Sequence, residues 1–203
     1  MWVSHFLQLL ARVLVGAYPR WVGSAPNHNQ RIYIANHTSH IDTVAIWAAL
    51  PEHLQKHTHT VAAWDYWANN KFKRWLTTNG LNAVYIKRSK EDANGEDPLQ
   101  PLYDTLASGE SLIIFPEGTR NKGDVPQPFK SGIYHLAKRF PHVEFIPVYL
   151  ENLHRSMPKG ALLPVPTMCS VRFGAPLPHS VDDSKEEFLE RARTAVISLA
   201  REL

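Results

Sequence analysis

Cysteine is nearly absent: Cys169 is the only one in 203 residues. No intrachain disulfide can form, nothing demands an oxidising compartment, and a zinc site built on several thiolates is excluded. Acidic residues are missing from the start of the chain. None precedes Asp42, while Arg12, Arg20 and Arg31 all do. Such a bias predicts an anionic neighbour at this end, and a membrane surface or a nucleic acid would fit. A clean apolar run of spanning length is also lacking. The opening stretch is broken by His5, Gln8 and Arg12 and falls short of the roughly 20 apolar residues that cross a bilayer. It has neither the early positive charge nor the small-residue cleavage site of a signal peptide. Low-complexity tracts, internal repeats and linkers are absent as well.

What is present is a globular composition, 44% apolar and 20% charged, enough for one domain with a real core. Trp2, Phe6, Leu9, Leu10, Val13 and Leu14 recur at helical spacing, with Gln8 and Arg12 elsewhere on the wheel. Residues 1–21 are therefore expected to form an amphipathic helix, flanked by Tyr18, Arg20 and Trp21 and suited to the plane of a lipid interface. Residues 22–203 are expected to form the remaining domain.

Through that domain, short β-rich runs alternate with helical stretches. Strands are predicted at 31–35, 60–64, 83–86, 111–115, 143–150 and 168–174. Helices are predicted at 43–54, 71–78 with a stop at Asn79-Gly80, 99–107 with a stop at Ser108-Gly109, 132–140, and 184–203. The last begins with a Ser184/Glu187 capping box and carries Phe188, Leu189, Ala192, Val196 and Leu199 on one side. The alternation predicts an α/β fold: a single-domain sandwich with a mixed, largely parallel central sheet flanked by helices.

Two segments place reactive groups directly after apolar strands, where loops commonly carry function. In Asn36-His37-Thr38-Ser39-His40-Ile41-Asp42, a carboxylate five residues after a histidine can hold one ring nitrogen protonated and leave the other as a base. In Phe115-Pro116-Glu117-Gly118-Thr119-Arg120, a guanidinium in a glycine-containing turn suits bidentate capture of a phosphate or carboxylate. Lys122, Lys130 and Ser131 add positive charge and a hydroxyl nearby.

Taken together and in this order, the segments resemble the glycerolipid acyltransferase family, of which the lysophosphatidate acyltransferases are best known. Asn36-His37-x4-Asp42 matches its first block. Gly80 to Arg88 (GLNAVYIKR) looks like the second, Phe115 to Arg120 matches the third, and Ile146-Pro147-Val148 resembles the fourth. Phe129-Lys130-Ser131-Gly132 sits where the family carries a similar stretch, and the likeness covers roughly residues 31 to 175. One stretch departs: Val61-AAWDYW lacks a Lys that lysophosphatidate-using members often carry there.

The resemblance implies transfer of a fatty acyl group from acyl-CoA or acyl carrier protein (acyl-ACP) to a lysophospholipid hydroxyl. The foremost acceptor is 1-acylglycerol-3-phosphate, with glycerol-3-phosphate or a lyso-aminolipid as alternatives. His37 is implied as general base and Asp42 as its orienter. Glu117, Gly118, Thr119 and Arg120 are implied at the acceptor head group, with Arg88 and Lys130 as further cationic contacts. Asn36, Pro116 and Pro147 are implied to shape the site or an acyl channel. No bound cofactor, metal or nucleic acid is implied, and the expected location is peripheral or monotopic on the cytoplasmic face of a membrane. A rival from a different class is a metal-dependent lipid or phosphate-ester hydrolase built on His37, His40 and Asp42.

Overall fold

A computed structural model of the chain describes residues 18–39, 41–67, 75, 78, 80–87, 95–121, 123, 125–151 and 169–200. Seven strands, β1 (Tyr18–Trp21), β2 (Arg31–Ala35), β3 (Thr58–Ala63), β4 (Val84–Ile86), β5 (Ser111–Ile114), β6 (Glu144–Glu151) and β7 (Ser170–Phe173), form one sheet in the order β1-β7-β6-β2-β5-β3-β4. Every pairing is parallel except β6 with β7. The described helices are α1 (Asp42–Ala49), α2 (Glu52–Gln55), α3 (Trp64–Trp67), α4 (Gln100–Ala107), α5 (Gly132–Arg139) and α6 (Lys185–Ser198).

The central strands are apolar on both faces because helices cover both. On one face, Tyr33 and Ala35 of β2 and Ile113 of β5 meet Ala45, Ile46 and Trp47 of α1. On the other, Ile32, Ile34, Leu112 and Phe145 meet α4, α5 and α6 through Leu106, Leu136, Phe188 and Ala192. The mixed, largely parallel sandwich expected from the alternation is therefore the architecture found. Arg31 lies in this core only 2% exposed. Its Nε donates to Glu144 Oε2 at 2.8 Å and its Nη1 to the Ala25 carbonyl at 2.9 Å, so the buried charge is paired.

Several boundaries differ from the sequence reading for identifiable reasons. The helix expected over residues 1–21 meets a strand at Tyr18–Trp21, whose four residues pair in parallel with β7. Trp21 stacks on Phe173 with ring centroids 4.0 Å apart. Residues 1–17 lie outside the described part. The run expected as one helix over 43–54 is divided at Pro51. Leu50 before it is extended (ψ 144°), as the proline ring requires, and α2 starts afresh beyond it. The predicted strand at 60–64 occupies 58–63, and Trp64 opens α3. Trp75 and Thr78 are the described members of the helix expected at 71–78, and both are helical. So are Gly80 and Leu81; the stop comes at Asn82, whose φ of 47° is the left-handed turn that asparagine tolerates at a helix end.

Pro147 is admitted within β6 because its carbonyl accepts the Gly174 N–H at 2.9 Å, where the ladder to β7 is ending. The donor that proline lacks is not required there. On α6 the capping box forms in both directions, with Ser184 and Glu187 each serving the other's backbone.

A candidate active site at the ends of β2 and β5

Strands β2 and β5 are neighbours, with Ile34 opposite Ile114. They end at the same level. From β2 the chain crosses by α1 and α2 to β3, beyond β5; from β5 it crosses by α5 to β6, beyond β2. The two crossovers run over opposite faces and leave a crevice between their first loops. Ligands of open α/β sheets bind at such a switch point. Asn36 and His37 emerge from one strand, Phe115, Pro116 and Glu117 from the other.

Asn36 is buried and extends the ladder with its side chain: Oδ1 accepts the Leu150 N–H at 2.8 Å and Nδ2 donates to the Leu150 carbonyl at 3.2 Å. This frees its backbone to turn out of the sheet. His37 follows, and its Nδ1 lies 2.9 Å from Asp42 Oδ2. The same oxygen accepts the N–H groups of Thr38 (2.6 Å) and Ser39 (2.7 Å). An oxygen already receiving two backbone donors is an acceptor, so His37 carries its proton on Nδ1. Nε2 keeps its lone pair and is free to take a proton. Asp42 is fully buried, whereas the His37 side chain is about one-fifth exposed, at 21%. The carboxylate is hidden, and the imidazole is partly open to solvent.

The imidazole lies on the Phe115 ring, with centroids 4.3 Å apart and planes 24° from parallel. Its peptide is held from the second loop on both sides. Glu117 Oε1 accepts the His37 N–H at 2.8 Å, and the Asn121 N–H donates to the His37 carbonyl at 2.7 Å. The other carboxylate oxygen of Glu117 accepts the Gln127 N–H at 2.8 Å. Glu117 is 4% exposed, and burial raises its carboxyl above the ordinary value of 4.5 despite these two backbone donors. The carboxylate expected against an acceptor head group thus faces inward, onto backbone amides.

Beyond Glu117 the turn reopens to solvent. Gly118 has φ 71°, a conformation that favours glycine. An added Cβ there would lie 2.7 Å from Lys130 Nζ, so the exposed lysine tail would have to shift. Lys130 therefore runs alongside this turn, and its own N–H donates to the Pro116 carbonyl at 2.9 Å. Thr119, Arg120 and Lys130 are exposed on the same rim, while Pro116 is buried beneath it. Pro147 sits deeper, paired with Ile34 in the sheet, its ring close against Gly174. Arg88, Lys122 and His40 lie outside the described residues. Among the described residues, no three histidine, cysteine or acidic side chains converge as a metal site.

The sequence reading did not single out Phe115, Asn121 or Gln127 individually as site residues. A signal for Gln127 was present in Pro126-Gln127-Pro128, since neither proline has an N–H. Gln127 is the only backbone donor of the three.

The fold and site define an α/β enzyme class in which a buried Asp pairs with a partly exposed His in the loop at the sheet's switch point. Residues 22–151 match the acyltransferase family, and the chain belongs to it. It is 31% identical over 170 residues to the 1-acyl-sn-glycerol-3-phosphate acyltransferase of Cocos nucifera, covering 81% of this chain and 51% of that protein. It is 30% identical over 145 residues to the Taffazin of Dictyostelium discoideum, covering 66% of this chain and 49% of that one. The chain thus spans about half the length of these two relatives. Its fold matches the crystal structure of the 1-acyl-sn-glycerophosphate (LPA) acyltransferase PlsC from Thermotoga maritima. The TM-score is 0.72 at 20% identity, over 99% of this chain and 80% of that one.

Proposed function

We propose that this chain is an O-acyltransferase that moves a fatty acyl group from acyl-CoA or acyl-ACP to the hydroxyl of a lysophospholipid, foremost 1-acylglycerol-3-phosphate. The observation that carries the reading is the 2.9 Å contact between His37 Nδ1 and the fully buried Asp42, which leaves Nε2 with its lone pair on a ring that is partly exposed. In this reaction Nε2 takes the acceptor hydroxyl proton as that oxygen attacks the thioester carbonyl. The carbon–sulfur bond then breaks, the thiolate leaves with the proton from His37, and an ester remains. A thioester is already activated, so a placed base and a placed acceptor suffice.

Gly118, Thr119, Arg120 and Lys130 form the anion-binding rim for the head group, with Arg88 a further candidate. The activity for which the acyltransferase relatives are named favours a glycerol-phosphate acceptor. A lipid acceptor requires work at a membrane surface, which supports a peripheral or monotopic location on its cytoplasmic face. Among the described residues no helix is long and apolar enough to cross a membrane.

The test is incubation of the purified chain with a panel of lysolipids and each kind of donor, followed by lipid extraction. The expected result is a diacyl product from 1-acylglycerol-3-phosphate that disappears in His37→Ala. Near-normal thiol release by folded His37→Ala would overturn the mechanism. Product from other acceptors alone would overturn the choice of head group.

A further inference from the structure

Two coordinates define where a histidine base stands: the rotation of its ring and the position of its peptide. Asp42 sets the first. The second is set from the loop after another strand, by a carboxylate bonded to two backbone amides. Glu117 is buried, and its two oxygens serve two loops, one at the His37 N–H and one at the Gln127 N–H, both at 2.8 Å.

The far support is itself held. Prolines on either side restrict Gln127 to extended conformations and fix the backbone angles next to it. The Pro126 carbonyl accepts Arg193 Nε at 3.0 Å, so α6 anchors this strap from outside. Within the loop, Asn121 Oδ1 accepts the Gly123 N–H at 2.9 Å, and Asn121 Nδ2 donates to the Val125 carbonyl. The backbone of Asn121 then closes on the His37 carbonyl. A continuous path of hydrogen bonds therefore runs from Arg193 through the strap and Glu117 to the peptide of His37.

We infer that Glu117 is a positioning residue for His37, a strut seated on the Pro126-Gln127-Pro128 strap, and that Arg193 on α6 secures that strap. The inference rests on the reading of His37 as the base, and it removes Glu117 from the set of acceptor contacts. Glutamine at 117 retains one acceptor oxygen but aims an NH2 group at a backbone donor, so one support of the strut is lost. A small displacement of a base from its line of attack costs up to about 100-fold in rate while leaving the head-group rim intact.

The experiment is steady-state thiol release from acyl-CoA at varied 1-acylglycerol-3-phosphate, for the full chain and for Glu117→Gln and Arg193→Ala. Folded fraction is followed by circular dichroism at the assay temperature. The expected result for Glu117→Gln is a kcat lower by about 10- to 100-fold with an acceptor KM within about threefold of wild type, the signature of a lost transition-state interaction. Arg193→Ala, on α6 and in contact with the strap alone of these loops, should move kcat in the same direction by a smaller factor, again without moving KM. A raised acceptor KM with kcat retained in Glu117→Gln would make Glu117 a head-group contact and overturn the inference. If that variant does not fold, Arg193→Ala decides: unchanged kcat there overturns the role of the strap. Activity persisting in His37→Ala is a separate failure, that of the base itself.

Discussion

Replacing Asp42 with asparagine isolates charge from shape at the centre of the site. The amide oxygen can take the place of Oδ2 and keep the Thr38 and Ser39 N–H bonds, so the turn and the Nδ1–H tautomer of His37 survive. The negative charge does not survive. When His37 becomes an imidazolium during attack, a carboxylate about 4 Å from the ring's charge is worth about 4 kcal/mol at an effective dielectric constant of 20. Its removal corresponds to a loss of roughly 10³-fold in kcat. The new NH2 group falls where Oδ1 now stands, a buried atom with no hydrogen-bond partner among the described residues. An unsatisfied donor there costs about 1–3 kcal/mol of stability, or a melting temperature lower by about 2–12 °C for a chain of this size. The assay is thiol release from acyl-CoA with and without lysolipid, alongside a thermal melt. Near-wild-type turnover by folded Asp42→Asn would refute the ion-pair reasoning, and a complete loss matching His37→Ala would refute the claim that the tautomer survives.

Asn36→Ala should lower stability by about 2–4 kcal/mol, because both the N–H and the carbonyl of Leu150 lose a buried partner; a melt unchanged from wild type would show that Asn36 does not stitch β2 to β6. Because burial raises the folded-state pKa of Glu117 above 4.5, its contribution is fully present below that value and is lost as pH rises through the folded pKa. The melting temperature of wild type relative to Glu117→Gln should therefore fall as pH rises over that window. A relative stability that instead increases with pH contradicts the desolvation argument.

Much of this was legible because the decisive features are local. The apolar runs of β2 and β5 end abruptly at polar Asn36 and at Pro116, and the His37–Asp42 pair spans one turn. The capping box at Ser184 likewise needs only its own four residues. What escaped the sequence depends on partners far away. Tyr18–Trp21 carries aromatic positions that also suit a helix, and only the open edge of β7 makes it a strand. The direction of Glu117 is of the same kind. Motif spacing supplies a carboxylate beside Arg120, but its inward aim follows from β5 lying next to β2, with β3 and β4 intervening in the chain. Residue types suggest a head-group contact at Glu117; adjacency sets the His37 and Gln127 amides against its two oxygens.

That difference between local and long-range placement bears on how the site holds its geometry. The pairing of His37 with Asp42 is closed within one turn and requires nothing of the sheet beyond a strand that ends. The peptide of His37 is instead located by Glu117 and Asn121, whose loop leaves a different strand and is tied to α6 through Arg193. The proposed acceptor rim of Gly118, Thr119 and Arg120 belongs to that same loop. The brace on the base and the proposed cradle for the substrate are thus one segment, with Glu117 directed inward and its successors outward. Relative placement of base and acceptor then depends on few independent parts, which is the condition for the near-attack geometry that proximity catalysis requires.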